Sequence, residues 1–365
     1  MKLFKVVAAI GLAVVLLAGG ARGDSVDDLI KSEMQKHHVA GVACLVLKDG
    51  QPVKAFYGGQ ANLEWNTPVA TNTVFEIGSI SKQFAAACIL LLAEEGKLSV
   101  DDNISKYLPH TPPAWANIKI RHLLSHTSGI HSYDDLEGFE FRQHLTQAQF
   151  ISLLARHPVD FSPGKSWSYC NAGYNLLGYI VENVSGEDYL AFLQKNIFGP
   201  LQMTNTTMRD PIQVIPHRAA GYVYTNGSYF NRDYDITDLF AAGSIVSSVS
   251  DLAKWDTALA GNRLLDESSK QLWWTPAHLN NGQPVPTGHG GGNTYGMGWF
   301  LESLDGHKTI EHGGVTSGFS AANALFPDDH LTIIVLSNTD EGSFAGALAK
   351  EIASLYFPKA SQAHQ

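Results

Sequence analysis

A serine and a lysine three residues apart could carry out nucleophilic chemistry in this chain, in the run Ser79-Ile80-Ser81-Lys82. Positions three apart share one face of a helix, so the hydroxyl and the amine can touch. A serine hydroxyl is a weak nucleophile and needs a base, and an amine serves only when its pKa is lowered. The positive end of a helix and neighbouring cations both favour a neutral amine. The spacing alone fits a helix cap followed by a surface lysine equally well.

A second run with the same spacing, Ser162-Pro163-Gly164-Lys165, is a poor candidate. Its proline and glycine indicate a turn, in which the serine and the lysine do not share a helix face. Two other short elements carry polar groups suited to a hydrolytic site. Tyr169-Cys170-Asn171 follows the turn and is expected on a loop, and His312-Gly313-Gly314 is expected just before a strand that begins near Phe319.

Together these elements resemble the motif set of penicillin-binding proteins and serine β-lactamases, which combines S-x-x-K, a polar triplet and a K-T-G-like strand. The tyrosine in the middle element is similar to that of class C β-lactamases and their relatives, which include D-alanyl-D-alanine carboxypeptidases, D-aminopeptidases and β-lactamase-like esterases. The resemblance spans roughly Val26 to Phe357, in the family's order. It includes the stretches 75–83 (FEIGSISKQ), 120–130 (IRHLLSHTSGI), 169–178 (YCNAGYNLLG), 241–255 and 312–338.

The resemblance implies a role for each matching side chain. Ser79 would attack a carbonyl and form an acyl-enzyme, and Lys82 would take its proton. Tyr169 would pass a proton to the leaving group and help to activate the deacylating water. Its phenol titrates near 10 when unperturbed, so nearby cations would have to lower that pKa for it to act as a base. Asn171 would hydrogen-bond Lys82 and the substrate.

The strand element completes the implied substrate-binding set with His312, Gly313, Gly314 and Val315. The backbone N–H groups of Ser79 and Val315 would form the oxyanion hole. True class C β-lactamases begin this element with a lysine, whose permanent charge faces a substrate carboxylate. A histidine holds that charge only below a pKa near 6.5. We therefore expect weak recognition of carboxylate-bearing β-lactams at neutral pH, and we rank esterase or D-peptidase activity above β-lactamase activity.

The three cysteines are an odd number and show no metal-like spacing. Cys44 and Cys88 are expected to be small buried hydrophobic residues. Cys170 lies inside the tyrosine element, so thiol reagents should inhibit the protein if this side chain is exposed beside the site.

No metal or cofactor is expected. His126 and His131 invite a metal interpretation, but no second ligand pair lies at metal spacing and no H-E-x-x-H occurs, which favours structural hydrogen bonding. The run 289–292 (HGGG) resembles an oxyanion motif of α/β-hydrolase lipases. Because the chain contains no G-x-S-x-G nucleophile motif, a flexible loop near the cleft is the better interpretation.

The pattern of elements predicts an α+β fold, and the resemblance implies that it is of the β-lactamase/transpeptidase-like kind. Two hairpins are predicted, one over 42–57 around Asp49-Gly50 and one over 319–336 around 327–329 (PDD), and helices are predicted over 25–36 and 343–357. An antiparallel sheet from both chain ends, flanked by helices, would occupy about 24–85 and 236–365. A mostly helical lobe, about 86–235, would be inserted into it, with the site in the cleft between them.

Composition and the first residues limit the partners. Only 16% of the 365 residues are charged, which argues against disorder, and the formal net charge of −10 disfavours binding to nucleic acid and anionic lipid.

Residues 1–23 have the layout of a secretory signal peptide: a cationic start, the apolar run 6–18, and small residues that allow cleavage after Gly20 or Gly23. The apolar run is short for a membrane span, so we expect no stable membrane insertion after cleavage, although an uncleaved anchor is an alternative.

The sequence thus predicts an exported serine hydrolase, periplasmic or secreted, made of residues 24–365. It would cleave a small ester, amide or D-amino-acid peptide, including peptidoglycan-derived peptides, through an acyl-enzyme on Ser79. One alternative is a non-catalytic peptidoglycan-binding or scaffold relative of the same fold. An α/β-hydrolase lipase is the third candidate, which the missing nucleophile motif disfavours.

Overall fold

The computed structural model describes residues 20–137, 139–261, 263–287 and 292–358. Most of the expected signal peptide therefore lies outside the described residues, as do the first three residues of the glycine run over 289–292. Within the described ranges, no helix is both long and apolar enough to cross a membrane.

The described strands are β1 (Gly41–Lys48), β2 (Gln51–Asn62), β3 (Thr67–Pro68), β4 (Phe75–Glu76), β5 (Thr207–Met208), β6 (Tyr222–Thr225), β7 (Ser228–Asn231), β8 (Ile245–Ser247), β9 (Thr294–Tyr295), β10 (Phe300–Leu304), β11 (His307–Thr316), β12 (Phe319–Phe326) and β13 (Leu331–Ser337). An eight-stranded sheet has the order β3-β2-β1-β13-β12-β11-β10-β9. All of its neighbouring strands run antiparallel.

The two ends of the chain meet in the middle of this sheet. The predicted hairpins are confirmed as β1–β2 and β12–β13, and β1 pairs with β13 so that Val42 lies opposite Ser337. Every residue of β12 is buried, and β13 is almost entirely buried. Burial on both faces explains why these central strands are nearly continuous apolar runs.

The described α-helices are α1 (Gly20–Lys36), α2 (Ser81–Glu94), α3 (Ile120–Leu124), α4 (Gln147–Leu154), α5 (Asn171–Ser185), α6 (Tyr189–Leu193), α7 (Phe240–Gly243), α8 (Val249–Ala260), α9 (Glu267–Trp273) and α10 (Phe344–Tyr356). The helices α1 and α10 pack on one face of the sheet, where Val26 and Ile30 join Ile352 in one apolar cluster. The larger core, on the other face, includes α2, α5 and α8. Each fully buried aliphatic side chain contributes about 1.5–3 kcal/mol.

The middle of the chain is helical only in its first part. The helices α3 to α6 lie there, whereas residues 199–235 form loops and the short strands β5, β6 and β7. β5 pairs with β8, with Thr207 opposite Val246, and this pairing connects the segment to the part of the chain that follows the inserted lobe. The α+β architecture is confirmed: a terminal antiparallel sheet flanked by helices, with a largely helical segment inserted.

Candidate active site

Ser79 lies in a tight 3-10 turn, Gly78–Ile80, that leads directly into α2. Gly78 has a φ of 50°, and a Cβ there would be 2.8 Å from the backbone nitrogen of Val315. Only glycine suits both the left-handed backbone and the close strand. The turn buries Gly78 and Ile80 and leaves Ser79 partly accessible from the cleft.

Lys82 is fully buried, and each hydrogen-bonding direction of its amine has a partner. Nζ lies 2.8 Å from Oγ of Ser79, 2.7 Å from Oδ1 of Asn171 and 2.8 Å from the carbonyl oxygen of Ala242. The last two groups can only accept, so a neutral amine would give them its two N–H groups and accept the Ser79 O–H with its lone pair. This is the arrangement that a general base requires.

The pKa of Lys82 is lowered to about 7, and the cause differs from the one expected. Burial lowers it, because a charged ammonium loses its hydration. The nearest charge, Asp134, acts in the opposite direction. The expectation that neighbouring cations favour the neutral amine is therefore wrong. The pKa is nevertheless lowered, as a general base requires.

The carbonyl of Ala242 is a partner of Lys82 that the sequence motifs did not reveal. It is positioned by an unusual backbone at Phe240, where φ is 39° and ψ is −125°. Such a conformation costs about 1–3 kcal/mol in a non-glycine residue. Asn175 stabilises it, since its side chain accepts from the N–H of Ala242 and donates to the carbonyl of Asp238.

Tyr169 lies beside the nucleophile, with its hydroxyl close enough to Ser79 to interact with it. The Nζ of Lys82 is 4.9 Å from the centre of its ring. Burial raises the pKa of Tyr169 well above its usual value, and Asp134 raises it further. The expectation that cations lower this pKa is wrong, so Tyr169 is an uncharged phenol that can relay a proton but does not rest as a phenolate.

Asn171 is the first residue of α5 and does not lie on a loop as expected. Its Oδ1 contacts Lys82, and its Nδ2 donates to Oδ2 of Asp134 over 2.9 Å. The same carboxylate oxygen accepts from Oγ of Ser132 over 2.6 Å. Asp134 belongs to none of the sequence motifs, yet it contacts the site through Asn171. It is exposed to solvent.

The strand element faces the nucleophile through its backbone. A Cβ on Gly314 would be 1.9 Å from the carbonyl oxygen of Ile77 and 3.0 Å from the nitrogen of Ser79. This strand therefore lies directly against the Ser79 turn, and the side chain of Val315 is 51% exposed. The backbones of Ser79 and Val315, which would supply the oxyanion hole, are immediate neighbours.

His312 precedes a strand that begins at Phe319, as expected, and it also lies within a strand of its own, because β11 starts at His307. It is buried, and its pKa is lowered to about 3 by burial and by Lys82. A histidine that charges near 6.5 was expected, and this too is wrong. At neutral pH His312 is an uncharged ring.

A family model described as Beta-lactamase matches residues 26–357. The chain belongs to the beta-lactamase family. Penicillin-binding protein 4* of Bacillus subtilis (strain 168) is 30% identical over 345 residues, which are 88% of this chain and 73% of that protein. This beta-lactamase family relationship supports a serine hydrolase.

Two solved structures resemble this beta-lactamase family member along most of its length. An octameric penicillin-binding protein homologue from Pyrococcus abyssi is 28% identical, with a TM-score of 0.79, and the match covers 91% of this chain and 76% of that one. A D-amino acid amidase from Ochrobactrum anthropi SV3, complexed with L-phenylalanine amide, is 22% identical with a TM-score of 0.80. That match covers 92% and 97% of the two chains, and it shows the shared fold alone.

The histidines that invited a metal interpretation form hydrogen bonds in this beta-lactamase family fold. His126 contacts the hydroxyl of Tyr295 and the N–H of Cys170, and Nδ1 of His131 lies 2.9 Å from Oδ1 of Asp160. Among the described residues, no three His, Cys, Asp or Glu side chains are grouped so that they could hold a metal ion.

Cys170 is buried and donates its thiol to the carbonyl of Ile130 over 3.3 Å. Burial raises its pKa to about 11, so little reactive thiolate forms at neutral pH. We expect iodoacetamide at neutral pH to leave the turnover rate unchanged. Rates and intact mass are measured together, with Cys170→Ser as the control. Inhibition that Cys170→Ser abolishes would contradict a buried, inert thiol.

Proposed function

We propose that this protein is an exported serine hydrolase that works through an acyl-enzyme on Ser79. One observation carries the proposal: the buried amine of Lys82, with a pKa near 7, lies 2.8 Å from the hydroxyl of a partly exposed serine. A buried lysine without a function would be costly, since its ammonium is dehydrated. Its two remaining partners leave its lone pair directed at the serine.

The chemistry is acyl transfer in two steps. Lys82 takes the proton from Ser79 as its oxygen attacks the substrate carbonyl, and the N–H groups of Ser79 and Val315 stabilise the oxyanion. The bond to the leaving group then breaks, and that group takes a proton through the Tyr169 hydroxyl. A water molecule attacks the acyl-enzyme and gives up its proton to the same groups, which releases the acid and restores Ser79.

Charge in the site favours one class of substrate. The carboxylate of Asp134 raises the pKa values of both Lys82 and Tyr169, against and with the effect of burial respectively. An exposed carboxylate at the site attracts an ammonium group and repels a carboxylate. We therefore propose small neutral esters and amides, and D-amino-acid derivatives with a free amine, above carboxypeptidase substrates and β-lactams. The D-amino acid amidase shares only the fold, so the preference for a substrate with a free amine is proposed on the basis of Asp134.

The role of Asp134 can be measured with two matched substrates. We expect Asp134→Asn to lower kcat/KM for D-alanine p-nitroanilide by about fivefold or more, because it removes an ion pair with the substrate ammonium. The N-acetylated substrate lacks that charge and should change little. Asp160→Asn, at a carboxylate that contacts His131, is the control. An equal loss on both substrates would contradict ammonium recognition.

Introducing a cation on β11 should favour substrates that carry a carboxylate. We expect His312→Lys to raise kcat/KM for benzylpenicillin relative to p-nitrophenyl butyrate, since a lysine there offers a cation to the penicillin carboxylate. His330→Lys, at a turn after β12, controls for total charge. Unchanged penicillin turnover in His312→Lys would count against a missing cation as the cause.

The proposed activity is tested by hydrolysis of p-nitrophenyl butyrate. The wild-type protein and Ser162→Ala, which alters the other S-x-x-K run, should turn over equally, and Ser79→Ala should lose turnover by about 10³-fold or more. Ser79→Ala with wild-type activity would overturn the proposal. No turnover by any of the three would favour a scaffold relative.

Export is tested by N-terminal sequencing of the protein recovered from the periplasm or the medium. We expect its sequence to start after Gly20 or Gly23.

A further inference from the structure

A buried chain of hydrogen bonds connects the Tyr169 segment with strand β11. At the Tyr169 segment, the N–H of Cys170 donates to Nδ1 of His126 over 3.0 Å. Nε2 of His126 is 3.2 Å from the hydroxyl of Tyr295, which is 3.1 Å from Nε2 of His312. On β11, Nδ1 of His312 lies 2.6 Å from the carbonyl oxygen of Gly313. All three side chains in the chain of bonds are buried.

The direction of every bond follows from the groups at the two ends. A backbone N–H can only donate, so Nδ1 of His126 carries no hydrogen and its Nε2 carries one, which it donates to Tyr295. The carbonyl of Gly313 can only accept, so Nδ1 of His312 carries the hydrogen. The Tyr295 hydroxyl then donates to Nε2 of His312. Each donor has one acceptor throughout.

Charging His312 would break this order. Two N–H groups would then point at the oxygen of Tyr295, and its own O–H would lose His312 as its acceptor. Burial lowers the pKa of His126 and of His312, and the nearby Lys82 lowers both values further, because each effect disfavours a charged ring.

The chain of bonds also holds the catalytic tyrosine. The carbonyl of His126 accepts from the N–H of Ser168, and its ring accepts from the N–H of Cys170, so His126 binds the residues on both sides of Tyr169. The rings of His126 and Tyr169 are also in contact, with centroids 4.3 Å apart.

This chain of bonds cannot deliver a proton, because it ends in a backbone N–H and a backbone carbonyl. We infer that Tyr295 and His126 are positioning residues that hold the Tyr169 hydroxyl and the strand backbone at Gly314 and Val315 at a fixed separation across the nucleophile. A shift of about 1 Å in such groups lowers a rate by about 10²-fold.

The inference rests on the proposed hydrolase activity, and Tyr295→Phe tests it by removing only a hydroxyl. We expect kcat to fall by about 10- to 100-fold while KM stays within about threefold, because the ground-state contacts of the substrate are untouched. Tyr189→Phe also removes a buried tyrosine hydroxyl, and it lies outside the site, so it should behave as wild type. A kcat for Tyr295→Phe within twofold of wild type would overturn the inference.

A spectroscopic readout does not depend on turnover. In the wild-type protein, ¹⁵N spectra of the histidine rings should show His126 with its hydrogen on Nε2 and His312 with its hydrogen on Nδ1, unchanged from pH 5 to pH 8. In Tyr295→Phe the His312 signals should shift or titrate. His312 protonated on Nε2, or titrating within that range in the wild type, would overturn the inference even if Ser79 proves to be the nucleophile.

A double variant separates positioning from general damage. His126→Gln should lower kcat as Tyr295→Phe does, and the two together should lose little more than the worse single variant, because both interrupt the same chain of bonds. Losses that multiply would show two independent effects and contradict a single positioning chain.

Discussion

Replacing Lys82 by methionine, which keeps an unbranched apolar stem but removes the amine, should lower kcat/KM for p-nitrophenyl butyrate by about 10³-fold or more. Ser79 would then lose the amine that lies within hydrogen-bonding distance in the described structure. The side-chain oxygen of Asn171 and the carbonyl of Ala242 contact that amine and cannot replace it as a base. Lys165→Met, at the exposed lysine of the second S-x-x-K run, is the matched control and should keep wild-type activity.

The pH dependence of kcat/KM tests the same role of Lys82, and its direction can be predicted. Lys82 accepts a proton only as the neutral amine, so kcat/KM should rise with pH through an apparent pKa of about 7 and be lost below it. Tyr169 titrates well above pH 10, so no falling limb should come from it at moderate pH. His312 adds no limb near 6.5, because its pKa is about 3. A flat profile from pH 5 to pH 9 would contradict Lys82 as the base.

Tyr169→Phe should show a loss that depends on the leaving group. The hydroxyl contacts Ser79 and is proposed to pass a proton to the departing atom. An anilide or amide needs that proton, so its kcat should fall by about 10²- to 10⁴-fold. A p-nitrophenyl ester leaves as a stable anion and should lose less in the acylation step.

Pre-steady-state rates of acylation on an ester and an anilide of the same acyl group measure this difference. Tyr229→Phe, at a partly exposed tyrosine on β7, is the control and should match wild type on both substrates. The same loss on the ester and the anilide would contradict proton transfer to the leaving group.

Local sequence patterns predicted the elements that position the site. Asp49-Gly50 and the 327–329 turn each lie between alternating or apolar runs, and both proved to be hairpin connections. The helical spacing after Ser79 correctly placed Lys82 within reach of its hydroxyl. These predictions succeed because they depend on neighbours in sequence, where backbone and side-chain preferences act directly.

The remaining features depend on groups far apart in the chain. The Ala242 carbonyl reaches Lys82 from 160 positions away, and His126 meets Tyr295 across 169. The pKa values of Lys82, Tyr169 and His312 are shifted mainly by burial, and burial is a property of the whole fold. Asp134 belongs to no sequence motif, and only its contact with Asn171 in the fold distinguishes it from neighbouring acids.

Mass spectrometry of acid-quenched reactions detects an acyl-enzyme on Ser79 directly. During turnover of p-nitrophenyl butyrate, the wild-type protein should gain the mass of one butyryl group, and digestion should place that group on the peptide that contains Ser79. Ser79→Ala should gain none, while Ser162→Ala should match the wild type. A butyryl group on another residue, or active turnover by Ser79→Ala, would contradict Ser79 as the nucleophile.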